Sequence, residues 1–158
     1  MRVLFLTVAI VIADQVTKLL VKGIQIPALG IAWEGMPYGM SRPVLGDFFR
    51  LTYIENPGMA FGIDIGGKLF FSLFSLAASI ALVAYLYHLR KGPIWFRIGL
   101  ATVLGGAVGN LIDRVFYGVV YGYAPFFYGR VVDFFDVDFF DFTLFGYHMS
   151  RWAIFNVA

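Results

Sequence analysis

Apolar residues in this chain gather into helix-length runs near its start and in two places further on, and a last apolar run opens at residue 152. The first covers residues 3–22. Val3 to Ala13 is uncharged, and a helix-compatible pattern continues through Asp14-Gln15-Val16-Thr17-Lys18 to Lys22, reaching the ~20 residues that a bilayer crossing needs. Taken alone, the run after Arg2, with Val11 and Ala13 ahead of a cleavage point, also fits a secretory signal. The continuation to residue 22 favours a retained span. Residues 69–87 give a second span, free of charge and closed by Tyr85 and Tyr87 as at an interfacial aromatic belt. The third, residues 94–112, contains Gly105 and Gly109, a small-x-x-x-small ridge on which another helix can pack.

The intervening segments have a different texture. Residues 23–68 are short apolar pieces broken by Pro27, Gly30, Gly35, Pro37, Gly39, Pro43 and Gly46, which places them outside the bilayer. Within them Phe48-Phe49-Arg50-Leu51-Thr52-Tyr53-Ile54 is aromatic and β-branched and predicts a strand. Asn56-Pro57-Gly58 follows, with Pro57 and Gly58 suited to the central positions of a type II turn. Asn56 reads equally well as a turn residue and as a functional amide. A small sheet on the membrane surface, with Trp33, Phe48, Phe49 and Phe61 at headgroup level, is the structure expected here. Residues 36–47 and 119–128 carry no pattern beyond loop, and residues 115–150 read as a second extramembrane loop. His88, Arg90, Lys91 and Arg97 have no acidic residue among them, which puts the loop 88–93 in the cytoplasm and the segments 23–68 and 115–150 on the outer side.

Composition sharpens this picture. A chain of 158 residues with 60% hydrophobic content and a mean hydropathy of +0.80 is one domain by size and too apolar for a soluble one. A net charge of +2 leaves no polybasic face, so nucleic acid is not an expected partner. The absence of cysteine removes disulfides, thiolate nucleophiles and Cys-based metal sites. His88 and His148 are far apart, so neither a metal nor a cofactor is expected.

The polar residues at the span ends carry the candidate chemistry. Asp14 and Lys18 are four apart and share a helix face. A lone carboxylate at mid-bilayer costs roughly 2.5–3.5 kcal/mol on insertion scales, so the pair belongs near the outer end, facing protein. A structural ion pair and a functional one are both consistent with that. Asn110, Asp113 and Arg114 form one polar face at the outer end of the third span. Asp133 sits in Val131-Val132-Asp133-Phe134-Phe135, surroundings that favour desolvation. Asp136, Asp138 and Asp141 read as solvated loop residues. A calcium loop would need denser oxygen ligands and a turn glycine.

In order along the chain, Asp14-Gln15-Val16-Thr17-Lys18, Asn56-Pro57-Gly58-Met59-Ala60-Phe61, Gly105-Gly106-Ala107-Val108-Gly109-Asn110-Leu111-Ile112-Asp113-Arg114, Val131-Val132-Asp133-Phe134 and Phe155-Asn156-Val157-Ala158 resemble the motifs of bacterial lipoprotein signal peptidases, also called signal peptidase II. The resemblance implies an all-α polytopic membrane protein, a four-helix transmembrane bundle with a small extracytoplasmic β-sheet on the membrane surface. The fourth helix, starting at 152, would be largely missing from this chain. It also implies an aspartyl endopeptidase of the bacterial inner membrane, active at the outer face as a monomer among membrane lipids. Its substrate would be a prolipoprotein, cut before a diacylglyceryl-modified cysteine. Asp133 would be one of two catalytic aspartates, with Asp14, Lys18, Asn56, Gly58, Asn110, Asp113, Arg114 and Asn156 at the family's supporting positions. The partner aspartate is expected directly after Ala158, so the 158 residues alone are expected to give no turnover.

A reading of another class is a small non-enzymatic transporter subunit, with Asp14, Lys18, Asp113 and Arg114 as a polar relay. A relay should line a path across the bilayer, whereas these residues gather towards one end of the spans. A serine or zinc membrane protease lacks H-E-x-x-H, G-x-S-x-G and any convincing Ser and His pair, since His148 and Ser150 are close in sequence only.

Overall fold

A computed structural model describes residues 2–58, 67–138, 142–144, 147–149 and 152–158. The apolar runs form helices α1 (Leu4–Lys22), α2 (Gly67–His88) and α3 (Ile94–Ile112). Among the described residues these are the helices long and apolar enough to cross a membrane. They leave Phe5, Phe74, Ile80 and Trp95 exposed, an apolar surface that water would disfavour and lipid accepts.

The third helix runs past its expected end. It passes from Ile112 into a π-helical turn, Asp113–Tyr117, and continues through Gly118–Val120. Val115, Phe116, Val119 and Val120 extend the apolar surface. The polar pair Asp113 and Arg114 finds partners inside the protein, and therefore does not end the helix.

The chain divides into two compact units. The first comprises Met1–Thr17, Asn56–Val131 and Val157–Ala158. Its core holds Val3, Leu86, Ala101 and Leu104, and the Thr7 hydroxyl donates to the Ala101 carbonyl at 2.8 Å. At Gly105 a methyl group would lie 2.9 Å from the Ile10 side chain, so the small residue lets α1 approach α3. After Val120 the chain returns tightly. Phe127 N–H donates to the Val115 carbonyl and Gly129 N–H to that of Arg114, while Ser72 Oγ donates to the Phe127 carbonyl at 2.7 Å. These bonds hold Phe127 at φ 69°, a conformation an aromatic residue seldom adopts unless its surroundings fix it.

The second unit comprises Lys18–Glu55 and Val132–Asn156. Strands β1 (Ile24–Ile26) and β2 (Ile31–Trp33) pair antiparallel across a 3-10 turn at Pro27–Leu29. Strands β3 (Ser41–Leu45), β4 (Phe49–Asn56) and β5 (Val131–Val137) form a sheet in the order β3-β4-β5. β3 lies in a region expected to be loop. Pro43 hides it, because proline cannot donate to a ladder, yet an edge strand with an irregularity between Pro43 and Leu45 accommodates it. β5 falls inside the other expected loop. Its residues are buried on both faces except for partly buried Phe135, so its sequence lacks the alternation that marks a half-exposed strand. Asp136 is only 4% exposed, which corrects its reading as a solvated residue.

The Lys22 ammonium donates to the Glu55 carboxylate and, at 3.1 Å, to the Tyr53 hydroxyl, joining the end of α1 to β4. Phe155 pairs with β5, accepting from the N–H groups of Phe134 and Phe135 and donating to the Phe135 carbonyl. Among the described residues 152–158, Phe155 makes a β-bridge and none is helical. Strands β6 (Phe142–Leu144) and β7 (Tyr147–Met149) form a further antiparallel pair. Met59, Ala60, Phe61, Asp141 and Ser150 lie outside the described residues.

Candidate active site

In the first unit, helical spacing and close packing bring polar side chains together. Asp14 of α1 and Asp113 of the π-helical turn are both fully buried. Gln15 bridges them, its amide nitrogen donating to Asp14 Oδ2 at 3.1 Å, to Asp113 Oδ1 at 2.9 Å and to the Gly109 carbonyl at 3.1 Å. A methyl group at Gly109 would stand 2.5 Å from Asp14 Oδ2, so only glycine admits that carboxylate. Lys18, one turn along α1 and the first residue of the second unit, is itself fully buried, which its ammonium tolerates only with compensation inside the protein.

Asn110 and Arg114, one turn apart on the third helix, line a cavity of about 640 Å³ with Ser75, Ile10, Val103 and Ala107 among its other walls. The Arg114 guanidinium donates to Ser75 Oγ at 3.3 Å. The cavity thus combines an amide and a cation with an apolar lining, a composition suited to a peptide or amphiphile. Where the chain re-enters this unit, Asn56 Oδ1 accepts from Gly58 N–H at 2.9 Å, closing a turn through its side chain. Gly58 has φ 105° and Phe71 packs where its Cβ would be, so both backbone and space require glycine.

In the second unit, β5 carries two buried carboxylates three residues apart, hence on opposite faces of the strand. Asp133, 6% exposed, accepts at Oδ1 from the Asn156 amide at 2.6 Å. The same amide nitrogen donates to the Val132 carbonyl at 3.2 Å, so the side chain of Asn156 is held against the strand while it orients the carboxylate. Asp136 accepts from Thr52 Oγ1 at 2.7 Å, and that hydroxyl lies 2.8 Å from Ser41 Oγ. Thr52 has one proton, so Ser41 donates to Thr52 and Thr52 to Asp136.

Several sequence candidates therefore meet: Asp14 with Asp113, Asn110 with Arg114, Asn56 with Gly58, and Asp133 with Asn156. Gln15, Tyr117 and Ser75 were not among the candidates and belong to these clusters. The signal for Gln15 was available, since it follows Asp14 inside an apolar span where a primary amide needs protein partners. No group of His, Asp and Glu that could hold a metal occurs among the described residues.

The geometry can be set beside known proteins. The family model described as signal peptidase (SPase) II matches residues 6–158. The lipoprotein signal peptidase of Porphyromonas gingivalis is 37% identical over 148 residues, covering 82% of this chain and 60% of that protein. That of Pelodictyon phaeoclathratiforme is 34% identical over 159 residues, covering 100% of this chain and 82% of that protein. A solved bacterial membrane enzyme, 31% identical, superposes with a TM-score of 0.66 over 99% of this chain and 77% of its own. The chain thus spans 60% of the length of its Porphyromonas relative.

Proposed function

This chain belongs to the signal peptidase II family and is a multi-pass bacterial membrane protein, and we propose that it acts as an aspartyl endopeptidase that removes signal peptides from prolipoproteins. Cleavage falls before the diacylglyceryl-modified cysteine, at the outer face of the inner membrane, where the substrate's lipid and peptide meet. The enzyme works as a monomer among lipids, with its sheet on the membrane surface.

The observation that carries this reading is the Asp133–Asn156 bond at 2.6 Å, which joins two separate motifs of the resemblance at one buried carboxylate. Peptide hydrolysis by carboxylates needs two of them. One, ionised, takes a proton from the attacking water, and the other, protonated, donates to the scissile carbonyl oxygen. At ~4 Å and an effective dielectric of ~20, two carboxylate charges repel by about 4 kcal/mol, or roughly three pK units, so the pair retains one proton near neutral pH. Water then adds to the carbonyl carbon, and the returned proton leaves on the peptide nitrogen as the C–N bond breaks. Asp133 is one member of the pair. Asn156 holds Asp133 in place, while Asn110 and Arg114 receive the substrate. Asp14, Lys18, Asn56, Gly58 and Asp113 keep the frame.

The test is cleavage of a diacylglyceryl-cysteine prolipoprotein by the enzyme expressed from its complete reading frame. Asp133→Asn should lower kcat by about a thousandfold or more. Undiminished cleavage by the folded variant removes Asp133 from the mechanism.

A further inference from the structure

The reading above gives Gln15 no part, yet its amide nitrogen is shared among three acceptors. Three acceptors surround its Nε2, two of them on fully buried aspartates, although an amide nitrogen has only two protons. At least one proton is therefore shared. Its Oε1 accepts from the Tyr117 hydroxyl at 3.1 Å. That bond fixes the amide's orientation: flipped, its oxygen would face two carboxylates and a carbonyl, and its protons would face a donor.

The consequence reaches the cavity. Asn110 and Arg114, which line it, directly follow Gly109 and Asp113, two of the three groups the Gln15 nitrogen holds. Tyr117 closes the π-helical turn that Asp113 opens, so this one turn supplies both an acceptor for Gln15 and the hydroxyl that orients it. Such turns interrupt an α-helix and persist where partners stabilise them. A Gln side chain anchored at both ends is a clamp between α1 and the wall that carries the cavity's polar groups.

We propose that Gln15, oriented by Tyr117, is a positioning residue: through Asp14, Gly109 and Asp113 it fixes α1 against α3 and so sets the cavity wall at which Asn110 and Arg114 receive substrate. The substrate half of this inference rests on the peptidase reading, and the geometric half does not.

The test uses the enzyme expressed from its complete reading frame, with Gln15→Leu, Gln15→Glu and Tyr117→Phe. Prolipoprotein cleavage by Gln15→Leu should show KM raised about tenfold with kcat within about threefold, and Tyr117→Phe a KM rise of about threefold. A merely structural role would give the opposite split, because fewer folded molecules lower the apparent kcat and leave KM alone. Gln15→Glu keeps the shape and the acceptor for Tyr117 but loses the amide protons. It should share the KM rise, and a wild-type KM for it overturns the proposal. Because the chain has no cysteine, spin labels at Val16→Cys and Phe116→Cys, both exposed, report the α1–α3 separation without turnover. Gln15→Leu should shift or broaden that distance, and an unchanged distribution also overturns the clamp. If Gln15→Leu does not fold, Tyr117→Phe carries both measurements. Full activity of Asp133→Asn would sink the catalytic reading while the labels still decide the clamp.

Discussion

Two pairs of buried aspartates, one in each unit, are handled by different physics. Asp14 and Asp113 share the donor of Gln15, so the environment of each depends on the other. Asp133 and Asp136 lie on opposite faces of β5, each with its own donor, Asn156 for one and Thr52 for the other. A shared donor couples two groups and makes a rigid frame. Separate donors leave the two carboxylates of one strand to different surroundings. Burial alone therefore does not say how a carboxylate is held: one pair is tied through a single amide, the other is not.

The comparison can be strained first in the sheet unit. Glu55→Ala leaves the Lys22 ammonium buried, both side chains being under one-tenth exposed, and should cost about 3 kcal/mol in chemical or thermal unfolding. A loss near zero would mean that this unit does not depend on the junction of α1 with β4. In the helical unit, Gly109→Ala drives a methyl group against the Asp14 carboxylate and should cost about 2 kcal/mol, with α1 displaced from α3. A smaller but more pointed effect concerns coupling. Unfolding of Asp14→Asn, Asp113→Asn and the double variant should reveal an interaction of about 1 kcal/mol, whereas Asp133→Asn and Asp136→Asn should add to within about 0.5 kcal/mol. Additivity in the first pair, or strong coupling in the second, erases the distinction drawn between them.

The helices were legible because a bilayer span imposes length and hydropathy on its sequence. The pairing of Asn110 with Arg114 at the cavity follows their four-residue spacing, whereas Asp113 turns to Gln15 of α1. The third helix's continuation to Val120 was not legible, since Asp113 and Arg114 look like an end until their partners are known. In the sheet unit, β4 shows its aromatic and β-branched run, but Pro43 disguises β3 and double-sided burial disguises β5. Asp133 stood out by its apolar flanks. Its bond to Asn156 crosses 23 residues of chain, and no local pattern encodes such a distance. Asp136 read as solvated for the same reason, its donor Thr52 being 84 residues away.

The central claim is that Asp133, and not the equally buried carboxylate beside it on β5, does the chemistry. The direct measurement is the rate of prolipoprotein cleavage by Asp133→Asn and Asp136→Asn, assayed side by side with folding verified for both. The account predicts a loss of about a thousandfold or more for Asp133→Asn and a kcat within about threefold of wild type for Asp136→Asn. Retained turnover without the Asp133 carboxylate, or its loss with Asp136→Asn alone, would contradict it.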